Sequence, residues 1–413
     1  MKFDWIDCAL GDAIVLQRGF DLPAQKRVPG SIPIVSSSGV SGFHSQAGVK
    51  APGVITGRYG TLGQVFFLDQ DYWPLNTTLW VKDFKSNSPK YIYYLLQTID
   101  FNSCSDKSTV PGVNRNDLHR IKIKLPNFLE QEKIANLLST FDDRIKLLRE
   151  TNESLEAISQ TLFNSWFIDF DPVHAKHLGR ECDGINADTA ALFPSSFESS
   201  GTYKIPMGWR LGNLSDIAIL QSGYAFKTND WSLYGHPVVK IGNVKPGLVD
   251  LSNCSYVNSA TIQGLDRFKL YRGDLLVGMT GYVGETGVIA NADPCAYLNQ
   301  RVGRISPLNN KNDYGYIYCN VRRKIFKDFA AANSRGSAQA NISANEILKF
   351  PVILPSEGIL NAFTDISNLL IGKVLNNYEK IQSLGDVRDG LLTRLISGQI
   401  DVSDYEMQLQ EIC

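Results

Sequence analysis

Between residues 130 and 167 apolar side chains recur at alternating spacings of four and three: Ile134, Leu138, Phe141, Ile145, Leu148, Leu155, Leu162 and Trp166. This is the narrow stripe of a helix that packs along another helix, with Asn152 occupying one seam position. At 1.5 Å per residue, about 37 residues make a rod of ~55 Å. A second stretch repeats the register with Phe363, Leu370, Val374, Ile381, Leu384, Leu391 and Leu395, and with Ser367, Asn377 and Arg388 as polar seam positions. Two matching rods in one chain are expected to pack on each other. Gly372, Gly385 and Gly390 interrupt the second rod, and bends, or contacts too close for a side chain, are expected there.

Each rod is preceded by the same series of patterns. Short β-type runs rich in Val, Ile, Phe and Gly come first, such as VITGRYGTLGQVFFL and DLLVGMTGYVGETGVIA. A helical patch follows at 88–100 and at 314–332. Next come a polar Ser/Thr/Asn/Gln loop and a short strand ending in Leu-Pro. Gly-x-x-Gly-x-x-Gly stands at 57–63 and again at 278–284, inside β-type sequence, where such glycines mark bulges or tight turns. LGD at 10–12 aligns with LGN at 211–213, and Leu75-Asn76 aligns with Leu298-Asn299. Residues 109–126 align with 337–355, and from there the offset holds at 229 residues. A repeat of this length is a duplicated domain, since solenoid periods reach only about 50 residues. The expected division is a first β-rich domain at 1–129, a long helix at 130–170 and a connecting segment at 171–202. A second β-rich domain at 203–356, a second long helix at 357–401 and a tail at 402–413 complete it.

Composition fits a multidomain globular chain, with 413 residues of which 43% are hydrophobic. Apolar runs are only a few residues long, so no membrane span is expected, nor is a secretory signal at the N-terminus. Seven scattered cysteines with no Cys-x-x-Cys point to a reducing cytosol, and argue against a disulfide frame or a zinc site. The net charge of −1 hides an alternation. The charge is +4 over 1–129, −4 over 130–170, −3 over 171–202, +7 over 203–356 and −5 over 357–413. Two basic blocks set between acidic ones suit a polyanionic partner.

Candidate chemistry is mostly excluded. The chain has no Gly-x-x-x-x-Gly-Lys-Ser/Thr phosphate loop, no Gly-x-Gly-x-x-Gly fingerprint and no Gly-x-Ser-x-Gly elbow. It lacks the Asn/Asp-Pro-Pro-Tyr/Phe motif of amino-methyltransferases and the paired carboxylate plus Glu-x-Lys of metal-dependent nucleases. His174 and His177 have no evident third ligand. A self-contained methyltransferase or nuclease is therefore disfavoured. A scaffold whose basic domains hold a protein or polysaccharide remains open, and salt-sensitive duplex binding would separate it from a DNA reader.

The order of β-rich basic domain, Leu-Pro exit and long helix, given twice, resembles the specificity subunit of type I restriction-modification systems. GYAFKTNDWSLYGHPVVKIGNV, YRGDLLVGMTGYVGETGVIA, LNQRVGRI and GSAQANISANEILKFPVILP look like one target-recognition domain of that family. RGFDLPAQKRVPGSIPIVSSSGVSGFH, APGVITGRYGTLGQVFF and WPLNTTLWV look like another class of it. LEQEKIANLLSTFDDRI resembles the family's helical entry, whereas PSEGILNAFTD lacks its Glu-Gln pair. The resemblance implies an α+β fold: two duplicated target-recognition domains, separated by two antiparallel helices in a coiled coil and related by a pseudo-two-fold. It implies a cytoplasmic, non-catalytic adaptor that reads an asymmetric bipartite site on double-stranded DNA. Two modification subunits would methylate adenine with S-adenosylmethionine, and restriction subunits would translocate and cut with ATP and Mg; this chain would bind none of these cofactors.

Within that reading the turn residues Arg58, Tyr59 and Thr61, with Thr280 and Tyr282 as counterparts, are the first candidates for DNA contact. Asn114 and Arg115 join them from the first polar loop, and Arg335, Gln339 and Asn341 from the second. Arginine reads guanine by a bidentate contact, and Gln or Asn pairs with adenine. Lys240, Asn243 and Arg301 are weaker candidates for DNA contact, with phosphate as the alternative to a base.

Overall fold

A computed structural model describes residues 5–104, 112–200, 203–292, 295–308, 313–336 and 340–402. The chain forms two compact units, one of residues 1–145 with 383–413 and one of residues 146–382.

In the first unit, Val15–Arg18, Thr78–Asp83, Gly53–Gly57 and Val65–Leu68 make an antiparallel four-stranded sheet in that spatial order. Gly39–His44, Ile32–Ser36 and Trp73–Pro74 make a three-stranded one. Gly53–Gly57 is buried at every position, because both faces of its sheet are covered. Val54, Leu79 and Val81 enter the main core with Tyr91, Leu95 and Leu138. Ile55 and Trp80, pointing the other way, pack with Val35 and Tyr72. This is why the run reads as continuously apolar instead of alternating.

The second unit is built on the same plan. Ala218–Ser222, Val302–Pro307, Leu275–Gly278 and Thr286–Val288 repeat the antiparallel order, and Gly247–Leu248 adds a parallel edge. Trp231–Ser232, Ser255–Val257, His236–Val239 and Tyr297–Leu298 form the smaller sheet. Leu275 and Val277 face one core and Leu276 the other.

The first long helix is Phe128–Phe167 and the second is Glu357–Ile396. They pair in opposite directions. In the first unit Asp142 bonds Arg388. In the second, Asn377 Nδ2 donates to Asn152 Oδ1 at 2.8 Å, and the Phe163 and Phe363 rings lie 5.9 Å apart. The helices also complete each unit's core, so pairing and domain packing coexist. Phe163, Trp166, Phe167 and Phe363 are fully buried among Tyr316 and Trp209, each worth ~1.5–3 kcal/mol by apolar burial. Past Asn152 the seam drifts from the strict heptad. Leu155 and Leu162 are half-buried, while Ser159 and Phe163 take the interior. A straight α-helix turns ~20° away from a 3.5-residue repeat in each heptad.

Three expectations change. The glycines of the second long helix mark no close contacts, since a Cβ on Gly372, Gly385 or Gly390 would meet nothing within 4 Å, and the helix runs through them unbroken. The close approach lies elsewhere: a Cβ on Gly315 would stand 1.9 Å from Ser367 Oγ. The segment following the first long helix is also more than a connection. It forms the helices Asp171–His177 and Ala187–Leu192, then the strand Phe197–Ser200. Val173 and Phe193 from it are buried in the unit's core. Finally, the helical patch at 314–332 is two helices, Tyr314–Val321 and Lys324–Ala332.

Candidate nucleic-acid interface

The spaced glycines build one turn twice. A Cβ on Gly57 would stand 1.9 Å from the Thr61 carbonyl oxygen, and one on Gly278 would stand 2.5 Å from that of Tyr282. Gly60 and Gly63 have φ of 82° and 79°, and Gly281 and Gly284 have 75° and 76°. Only glycine reaches such angles without strain, so the spacing is dictated by the backbone. Each turn is clamped by the polar segment that follows in sequence. Val113 N–H donates to the Arg58 carbonyl at 3.0 Å, and Ile342 N–H donates to the Met279 carbonyl at 2.9 Å. Tyr59 bridges Gly112 as Thr280 bridges Asn341.

In the first unit this clamp forms a cleft of about 380 Å³ lined by Arg18, Arg58, Tyr59, Asn114 and Arg115 over the Gly112–Val113 backbone. Its described lining holds no acidic side chain. The Arg58 guanidinium lies 4.5 Å from the Tyr59 ring centroid, a cation–π contact that holds both in place. Thr61 is exposed in the same turn. Asn114 is committed locally: its Oδ1 accepts from Asn116 N–H at 3.0 Å and caps the helix Arg115–His119. Arg115 is that helix's first residue and is exposed.

In the second unit Thr280, Arg335 and Asn341 come together. Thr280 and Asn341 join through their side-chain oxygens at 2.9 Å, and Arg335 exchanges two backbone hydrogen bonds with Asn341, each 2.8 Å. Thr280 is buried, whereas Tyr282 is two-thirds exposed. The Arg301 carbonyl accepts from Met279 N–H at 3.0 Å, which places the exposed Arg301 beside the turn. Gln339 lies outside the described residues. Lys240 and Asn243 belong to a different feature. Lys240 Nζ sits 3.7 Å from the Trp231 ring centroid and donates to Ser255 Oγ at 2.7 Å, and burial pulls its pKa below the usual lysine value. Asn243 is buried, with its amide donating to the Asp250 carbonyl at 3.1 Å. Its side chain is thus committed to closing the loop.

Comparing the two units corrects the sequence alignment. Ala9 N–H donates to Asp12 Oδ2 at 2.9 Å, and Asn213 N–H donates to Asp216 Oδ2 at 2.8 Å. Leu10-Gly11-Asp12 thus corresponds to Leu214-Ser215-Asp216 and not to residues 211–213. Leu75 N–H donates to the Val35 carbonyl as Asn299 N–H donates to that of Val239, so Leu75 corresponds to Asn299, one residue from the sequence match. On the same correspondence Gly19 N–H donates to Thr78 as Gly223 N–H donates to Val302. Arg18 therefore matches Ser222. Sequence reasoning passed over Arg18, although it stands in the Arg-Gly-Phe that mirrors Ser-Gly-Tyr.

The family profile described as the type I restriction modification DNA specificity domain matches residues 4–157 and 206–383. The chain is 26% identical over 323 residues to the type I restriction enzyme MjaIX specificity subunit of Methanocaldococcus jannaschii, covering 76% of this chain and 70% of that protein. It is 25% identical over 398 residues to the HindI specificity subunit of Haemophilus influenzae, covering 82% and 84%. In fold it is similar to the crystal structure of the type I restriction-modification S subunit from M. genitalium, with TM-score 0.56, 17% identity and coverage of 95% and 96%. The profile matches twice, once over each copy of the glycine turn, and the chain belongs to the type I restriction-modification DNA specificity family.

Proposed function

We propose that this specificity subunit reads an asymmetric, two-part target on double-stranded DNA, one part with residues 1–129 and the other with 203–356. The helical stretches 130–170 and 357–401 serve as the spacer. The chain contributes specificity and not catalysis. Two modification subunits dock on it and methylate adenine with S-adenosylmethionine, and restriction subunits join with ATP and Mg. The setting is the cytoplasm, and among the described residues no helix is long and apolar enough to cross a membrane.

The observation that supports this reading is the clamped glycine turn, present once in each unit with the same backbone and different side chains. A backbone built twice with different exposed groups suits two readers of two unlike words, where a homodimer would read a palindrome. The exposed candidates are Tyr59, Thr61, Asn114 and Arg115 in the first unit, with Arg58 half-buried beside them, and Tyr282, Arg301, Arg335 and Asn341 in the second. Mapping N6-methyladenine in cells with and without the chain tests the function. Arg58→Ala should weaken or relax one half-site by ~1–3 kcal/mol at the base it reads and leave the other intact. An equal loss at both half-sites, or an unchanged methylation pattern, refutes the modular reading.

A further inference from the structure

We infer that Arg18, Arg58 and Arg115 together read guanine, so that the half-site taken by the first unit carries an obligatory G·C pair. This rests on the DNA-reading function proposed above.

The three guanidiniums come from three separate elements: the end of the strand Val15–Arg18, the glycine turn, and the first residue of the helix Arg115–His119. All three line the one cleft of about 380 Å³. The rest of its described lining is neutral. Among the described residues neither Arg58 nor Arg115 has an ion-pair partner. Arg18 faces Asp21 at 3.7 Å with both side chains more than half exposed, a pair that water screens and a ligand can displace. Three arginines lining one cleft, with no acidic side chain among its described residues, suit an acceptor-rich ligand. On DNA that is the O6/N7 edge of guanine or a phosphate.

The second unit decides between them. The positions corresponding to Arg18, Arg58 and Arg115 are Ser222, Met279 and Ala344, and Met279 is buried. The sugar-phosphate backbone is the same in both half-sites, so a phosphate clamp at this place would serve both units alike. Bases are what differ between the half-sites, and at these three matched positions arginine is present on one side only, the second unit bringing Arg301 and Arg335 to its turn from other positions. Tyr59 adds a flat ring that fixes Arg58 beside the cleft, so less freedom is lost on binding.

Methylated adenines are mapped in cells carrying the wild-type chain, Arg18→Ala or Arg18→Lys, with thermal unfolding of each purified chain as the control for folding. The wild-type target should contain a G·C pair in one half-site. At that pair both variants should lose about 10- to 100-fold of discrimination against other pairs, with the other half-site unchanged. Lysine keeps the charge but not the planar fork, so Arg18→Lys separates the two ligands. Restored methylation without relaxation in Arg18→Lys, or a uniform loss without relaxation in Arg18→Ala, identifies a phosphate and overturns the inference. A target without an obligatory G·C pair overturns it as well. Should Arg18→Ala unfold, Arg58→Ala and Arg115→Ala must relax the same pair, and relaxation at different pairs overturns the shared cleft. Absence of any methylation that depends on the chain refutes the proposed function itself, an outcome distinct from all of these.

Discussion

His119 Nε2 accepts a hydrogen bond from Leu16 N–H at 3.0 Å, two residues before Arg18. Only the neutral ring can accept there. Burial lowers the histidine pKa, and the nearby Arg115 and Lys85 cations lower it further. The unfolded chain, titrating near about 6.5, therefore takes up this proton before the folded one. Stability is retained above that pH and lost as the pH falls through it. The unfolding midpoint should drop as the pH falls below about 6.5, and His119→Gln, which keeps an acceptor, should flatten that dependence. An unchanged pH profile in the variant would remove the bond's role. Residue chemistry of this kind was only partly legible in the sequence. Asn114 and Asn243 look like DNA readers because caps and base contacts draw on the same short polar side chains. Which use is made depends on whether a backbone N–H lies within reach, and that is settled by the fold.

At the scale of elements, periodicity located the long helices well, because about 40 residues give many turns over which a stripe can repeat. The helices Arg115–His119 and Ala344–Leu348, five residues each, fell inside stretches that read as polar loops. Five residues hold too few turns to show a period, although their caps Asn114 and Ser343 are the signal that was present. The glycines of the second long helix mark no close contact, which was not legible, because a helical glycine in the sequence looks the same whether its face is covered or open. With open space where each Cβ would go, replacement by alanine meets no clash and removes backbone freedom from the unfolded chain. Gly372→Ala, Gly385→Ala and Gly390→Ala should each stabilise by up to about 1 kcal/mol, read from chemical denaturation. A variant that gains stability yet loses methylation would show that the bare helix face is kept open for a partner.

At the scale of the whole chain, the two long helices carry the proposal about spacing. Each has 40 residues, ~60 Å of helix against ~34 Å for a turn of duplex. If their length sets the gap between the two words read, a change that preserves seam register should alter the gap and nothing else. One heptad inserted between Ile145 and Lys146, with another between Gln382 and Ser383, keeps the pairs Asp142–Arg388 and Asn152–Asn377 in phase. It adds ~10.5 Å, or about three base pairs at 3.4 Å each. The half-site sequences should survive while the non-specific gap in the methylated target grows by about three pairs. Inserting the heptad into one helix alone puts Asn152 and Asn377 out of step, leaving polar groups in an apolar seam at ~1–3 kcal/mol, and should cost stability before it changes the gap. A double insertion that folds, methylates and leaves the gap unchanged would mean that something other than helix length measures it.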